Sequence, residues 1–254
     1  MRKHDVYTRW DYIREEISLD ALSREDQARF DLICTNIMRQ RERVAKFAHT
    51  QCGDMLVWNP DGPLPPLCWC FNDWSEAMLF SRKLSPQQPF FASLSMHANT
   101  ADWLAKTRFN DLLAKRYLDS MEDIIADKPV LVGGNCQGAP IAESMVQQLA
   151  GRRGPMPFLI TLEYIGRRSG EWPRLMLFGK QSRFNPFDNG HDPLPYWQER
   201  GKHFAWATLS VGHGQYFKEP NIDVLARVVA QMSGRLSRSE PLPQGPFELP
   251  ALAG

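Results

Sequence analysis

Apolar residues fall along this chain in two alternating patterns. Short runs that are apolar almost throughout predict strands buried on both faces: Met55-Leu56-Val57-Trp58, Pro65 to Phe71, Pro89 to Leu94, Val130-Leu131-Val132, Phe158 to Leu162, Leu175 to Phe178 and Phe204 to Leu209. Between them lie stretches whose apolar positions recur three and four apart, the spacing of a helix face. One runs from about Ser75 to Leu84. A longer one, Asp102 to Asp127, carries Leu112, Leu113, Tyr117, Leu118, Met121, Ile124 and Ile125, and another carries Ala142, Met145, Val146 and Leu149. A last helix is expected near Val224–Ser233. Such alternation implies right-handed βαβ units, so the chain is predicted to be α/β with a mostly parallel central sheet and helices on both faces. Chemistry in these sheets gathers at the C-terminal ends of the strands.

The two ends of the chain differ from this middle. Residues 1–50 are polar and read as helical, with Ser23 and Asp26 forming a capping box and Phe30, Ile33, Ile37, Val44 and Phe47 near helical spacing. Arg39, Arg41, Arg43 and Lys46 crowd the end of that segment, where cations suit the helix dipole and a solvated face is the simplest reading. Residues 237–254 are rich in proline and are expected to be poorly ordered. The predicted division is a helical extension (1–52), an α/β domain (53–236) and a tail (237–254).

The sharpest local signal is Gly134-Asn135-Cys136-Gln137-Gly138, which follows a predicted strand and opens a predicted helix. G-x-C-x-G in that context has the form of a nucleophile elbow. Strand and helix nearly touch at such a turn, so the residues flanking the nucleophile must lack Cβ atoms. The N–H groups at the helix start favour a thiolate and an oxyanion. A buried cysteine in an ordinary glycine turn is the plainer alternative.

Composition narrows the partners. Thirty basic and 29 acidic residues leave a formal charge of +1, which gives no general attraction to nucleic acid or membrane. The five cysteines are odd in number and scattered, and Cys68-Trp69-Cys70 lacks the spacing and second pair of a zinc site. Neither a metal constellation nor a G-x-G-x-x-G nucleotide fingerprint is present, so no bound cofactor is expected. Met1 to Asp5 leads into charged sequence and no apolar run reaches the ~20 residues of a membrane span, so a cytoplasmic protein is expected.

At this point the residues resemble a known family. A helix containing Ala114, Tyr117 and Leu118 runs into Pro129-Val130-Leu131-Val132-Gly133-Gly134 and the elbow, Pro66-Leu67 enters the first core strand, and Trp197 precedes the final strand. From about Met55 to Met232 the chain is similar to the thioesterase domains of nonribosomal peptide and polyketide assembly lines, which are α/β-hydrolases. The resemblance implies an acid after the strand that follows the elbow helix and a base in a glycine-flanked loop before the last helix. Glu163 and His213 occupy those positions. Three departures stand out: cysteine replaces the usual serine, glutamate replaces aspartate, and the short Glu163–His213 separation leaves little room for the family's helical lid.

On this reading Cys136 attacks a thioester carbonyl, His213 serves as base, and Glu163 holds the imidazole tautomer. His191 and His203 are rival bases. Asp188 or Asp192 is the fallback acid, and Glu163 has a purely structural alternative in pairing with Arg167 or Arg168. The oxyanion hole is expected from the backbone N–H of Gln137 plus one from Phe71, Asn72 or Asp73, with Trp74 lining the acyl pocket or lying in the core. A cysteine nucleophile exchanges one thioester for another at nearly equal free energy, as in the freestanding aminoacyltransferases that this site resembles. The expected substrates are acyl or aminoacyl thioesters on the phosphopantetheine arms of carrier proteins. Arg39–Lys46, Arg152-Arg153 and Arg167-Arg168 are candidate docking patches for those acidic partners. A hydrolytic or cyclising release enzyme, a polyester synthase and a non-catalytic carrier-binding module remain as alternatives.

Overall fold

The computed structural model describes residues 22–95, 103–125, 127–188 and 192–251. Nine strands form one sheet: β1 (Thr50–Cys52), β2 (Met55–Trp58), β3 (Leu67–Phe71), β4 (Phe90–Leu94), β5 (Leu131–Asn135), β6 (Phe158–Leu162), β7 (Arg174–Gly179), β8 (Phe204–Leu209) and β9 (Gly245–Pro246). Their order is β1-β2-β4-β3-β5-β6-β7-β8-β9. β1 and β2 pair antiparallel at one edge, and every pairing from β4 to β9 is parallel. The helices are α1 (Arg24–Val44), α2 (Trp74–Ser81), α3 (Trp103–Ile125), α4 (Ala139–Ala150), α5 (Leu194–Gln198) and α6 (Asn221–Ser237).

The all-apolar runs are buried because the sheet is covered twice. Each residue of β2 to β7 is buried. On one face Trp69 and Phe71 of β3, two residues apart, meet Phe80 of α2 and Phe217 of the segment before α6 at ring-centroid distances of 5.3–6.4 Å. On the other face α4 packs against β5 and β6 and against α3. β8 alternates half-buried and buried positions, as a strand near an edge should.

The chain ends depart from expectation. α1 does start at the Ser23–Asp26 capping box, where the Asp26 N–H donates to Ser23 Oγ at 3.1 Å. Phe30, Cys34 and Ile37 bury one stripe of it in the main core, whereas Phe47 is half exposed. The segment before Leu22 lies outside the described residues. β1, at the close of the expected extension, joins the sheet. The tail after Ser237 is also packed rather than loose: β9 extends the sheet beside β8, the Phe247 N–H donates to the Trp206 carbonyl at 2.7 Å, and Leu242, Phe247 and Leu249 pack against the core. Its prolines suit a sheet edge, where a missing N–H costs no ladder bond, and its three apolar residues supply the burial that composition alone concealed.

Candidate active site

β5 ends where strand and helix come too close for side chains. A Cβ on Gly134 would stand 2.7 Å from the Gly138 carbonyl oxygen, and one on Gly138 would stand 2.0 Å from the Cys70 carbonyl oxygen of β3. Between them Cys136 has a positive φ of 48°, in the left-handed region that non-glycine residues seldom occupy. The turn is held by the Cys136 N–H on the Leu162 carbonyl at 3.2 Å and the Gly138 N–H on the Asn135 carbonyl at 2.8 Å. The result is a half-buried thiol presented at the top of the sheet, at the start of α4.

Burial pushes the Cys136 thiol above its ordinary range, and the Glu163 and Glu76 carboxylates add to that push. The Gln137 N–H and the Asn72 side chain oppose it by hydrogen bonding to the sulfur. None of the other cysteines has such donors from a turn. Cys34, Cys68 and Cys70 are buried, with the Cys70 thiol pushed up to about 12 by burial, and the Cys52 sulfur donates to the Ser120 carbonyl.

At the end of β6, Glu163 also has a positive φ, of 56°. Its side chain is only 2% exposed. One carboxylate oxygen meets Nδ1 of His213, and the other accepts the Tyr216 hydroxyl at 2.8 Å. The expected acid and base are therefore in contact, and Nε2 of His213 is left for another partner. The imidazole, 39% exposed, leans on Phe184 at a centroid distance of 4.9 Å, and the Arg183 guanidinium lies 4.8 Å from the opposite partner's ring centre.

The rivals go elsewhere. Asp188 accepts from Asn185 Nδ2, and Asp192 accepts the Leu194 N–H at the start of α5. His203, at the N-terminal end of β8, meets Gln244 of the tail, and His191 lies outside the described residues. The backbone N–H groups of Arg167 and Arg168 donate to the fully buried Glu143 of α4, and the Arg168 guanidinium reaches Asp111. Glu143 also accepts the Tyr164 hydroxyl at 2.8 Å and lies 3.7 Å from the buried Arg174, so it clamps the loop that leaves Glu163.

In the loop after β3, two of the backbone donors expected for the oxyanion hole, those of Asn72 and Phe71, are turned to other partners. The Asn72 N–H donates to Glu76 Oε2 at 3.2 Å. Asp73 caps α2 by accepting the Ser75 N–H, while Glu76, three residues on, reaches back to the Asn72 N–H. Phe71 pairs in the parallel ladder with Leu94, and its carbonyl accepts from the Ser95 N–H, so its own N–H faces β4 as well. Trp74, a candidate pocket residue, is 4% exposed and belongs to the main core. Glu76 additionally accepts from Asn135 Nδ2 at 3.1 Å, and Asn135 Oδ1 accepts from Trp69 Nε1 at 3.2 Å. Four residues here escaped the sequence reading: Glu76, Asn135, Ser95 and Tyr216. The Asp73-x-x-Glu76 spacing was a legible signal. Tyr216, three residues past His213, was not.

No family model and no curated protein matches this chain by sequence. Solved structures do match. The NocB thioesterase domain from the nocardicin cluster superposes with a TM-score of 0.54 at 11% identity, over 71% of this chain and 98% of that one. YbtT, a type II thioesterase from the yersiniabactin pathway, gives 0.50 at 14% identity, over 71% and 96%. The chain has the α/β-hydrolase fold of these domains. Residues 164–173 of this chain, between Glu163 and β7, contain no helix, and the segment from β7 to β8 contains only the five-residue α5 among the described residues. Among the described residues, no helix is long and apolar enough to cross a membrane, and no group of three His, Cys, Asp or Glu is placed to hold a metal ion.

Proposed function

We propose that the protein is an acyltransferase that accepts acyl or aminoacyl groups from carrier-protein thioesters onto Cys136 and passes them to a second acceptor thiol. The observation that carries this reading is a half-buried thiol on a left-handed elbow residue, in a fold where the contacted His213–Glu163 pair follows in the order nucleophile, acid, base. His213 Nε2 takes the thiol proton, and the sulfur adds to the thioester carbonyl to form a C–S bond. Collapse of the tetrahedral intermediate expels the carrier's pantetheine thiolate, which recovers the proton from His213. The second acceptor thiol then loses its proton to His213 and attacks the Cys136 thioester, which regenerates the free cysteine. Glu163 stabilises the imidazolium in both halves. The thioesterase neighbours in fold support the substrate class, and the cysteine supports transfer, because the acyl group stays at thioester energy on the enzyme.

Hydrolytic release is the second reading, supported by the fold shared with the NocB thioesterase domain and the YbtT thioesterase. Intact-mass measurement on carrier proteins loaded with a panel of acyl and aminoacyl groups separates the two. Transfer predicts an adduct on the native protein and none on Cys136→Ala, with fast loss to unloaded pantetheinylated carrier and slow loss to buffer. Rapid loss to buffer alone would make the protein a releasing thioesterase.

A further inference from the structure

We propose that Asn135 is a positioning residue for the nucleophile. Its carboxamide, gripped by Trp69 at one end and by Glu76 at the other, holds the elbow in the conformation that presents Cys136. The inference rests on the reading of Cys136 as the group that is acylated, but not on which acceptor later removes the acyl group. A non-glycine residue in the left-handed region, as Cys136 is at a φ of 48°, persists only where its surroundings over-determine it. Downstream, the turn is fixed by the Gly138 N–H on the Asn135 carbonyl at 2.8 Å. Upstream, the side chain of Asn135 is tied twice. Its Oδ1 accepts from Trp69 Nε1 at 3.2 Å, and its Nδ2 donates to Glu76 Oε2 at 3.1 Å. Asn135 and Trp69 are both buried, so water cannot replace either partner cheaply.

Each partner of Asn135 is itself held. The indole of Trp69 lies across Gly133, where any Cβ would collide with its six-membered ring, so it covers the strand face that Gly133 and Asn135 share. Phe80 of α2 meets the same indole edge-on at a centroid distance of 5.4 Å. Glu76 Oε2 also accepts the Asn72 N–H at 3.2 Å, and Asn72 Oδ1 accepts the hydroxyl of the fully buried Ser95 at 3.1 Å. The result is a hydrogen-bonded brace across the C-terminal ends of β5, β3 and β4, in which one carboxylate oxygen joins the elbow to the loop after β3. An indole N–H can only donate and a carboxylate can only accept, so the residue between them must do both, as an amide does. Without the brace the elbow can relax and shift the sulfur relative to His213, and attack on a carbonyl tolerates little misplacement.

The test compares two reactions of Cys136 that differ in how much geometry they need. Acylation by an acyl N-acetylcysteamine thioester, followed by intact mass, requires the sulfur, His213 and the carbonyl to be aligned. Alkylation by iodoacetamide, read at its high-pH plateau, requires only an accessible thiolate. Asn135→Ala changes no charge, and it is expected to lower the acylation rate about 10²-fold and to leave plateau alkylation within about threefold. Asn135→Asp sets two carboxylates face to face and should lose at least as much. Adding Glu76→Gln to it exchanges acid and amide between the two positions, so a donor again meets an acceptor and the net charge is that of the native protein. This exchange variant should regain about tenfold or more over Asn135→Asp alone. Thermal melts of each variant confirm folding, and the exchange comparison carries the test by itself should Asn135→Ala not fold. Acylation within a few-fold of wild type in Asn135→Ala would overturn the proposal. So would equal losses in acylation and alkylation, or an exchange variant no faster than Asn135→Asp. A wild-type protein that alkylates but accepts no thioester would instead remove the acylation reading itself, and the positioning role with it.

Discussion

Glu163 and His213 lie fifty residues apart in sequence, yet one carboxylate oxygen of the first sits on Nδ1 of the second while its other oxygen takes the Tyr216 hydroxyl at 2.8 Å. A carboxylate held at both oxygens cannot rotate away from the imidazole. Glu163→Gln is expected to cut turnover about 10²–10⁴-fold by losing both the tautomer and the charge. Tyr216→Phe removes one of two anchors and should cost about tenfold. Steady-state kinetics with a carrier-bound thioester check both, and equal effects from the two variants would contradict this division of roles.

Burial raises the Cys136 thiol, so at neutral pH the sulfur depends on His213 to ionise. In His213→Ala the thiol has only its own ionisation, and that is displaced upward. Iodoacetamide reactivity of the variant should therefore rise with a midpoint above the ordinary thiol value of about 8.5. The wild-type protein should react at lower pH, and a pH–rate profile for each distinguishes them.

The sheet was legible in the sequence for one physical reason. Strands covered on both faces cannot tolerate polar residues, so β3, β4 and β6 stood out as unbroken apolar runs. The elbow turn was legible because Gly134 and Gly138 are required sterically, and the meeting of Glu163 with His213 because the resemblance puts both at the same end of the sheet. The same reasoning missed what holds Asn72. It treated that N–H as free to bind an oxyanion, although Glu76, one helical turn on, accepts it. Edge strands β1 and β9 were missed because two or three residues carry no period.

Glu76 makes a prediction about stability as well. Glu76→Ala would strand the Asn72 N–H and Asn135 Nδ2, two donors at the start of α2 and the end of β5. The expected cost is about 2–4 kcal/mol, which in a domain of this size lowers Tm by about 5–10 °C. Calorimetry checks it.

A larger loss is expected at Glu143. Its removal in Glu143→Ala leaves Arg174, 4% exposed, without its counter-charge, and frees the Tyr164 hydroxyl and two backbone N–H groups. Breaking a buried pair from one side costs about 3–5 kcal/mol. The double variant Glu143→Leu with Arg174→Met should recover part of that loss in chemical denaturation, because no unpaired charge remains.

The pairing of β9 with β8 has a consequence for how the molecule comes into being. β9 is the last described strand to leave the ribosome, so β8 is completed with one side of its ladder still open. Until Phe247 reaches Trp206, a nascent or refolding chain presents that row of backbone groups to any neighbouring copy. Recovery of native protein after dilution from denaturant should therefore fall with rising protein concentration.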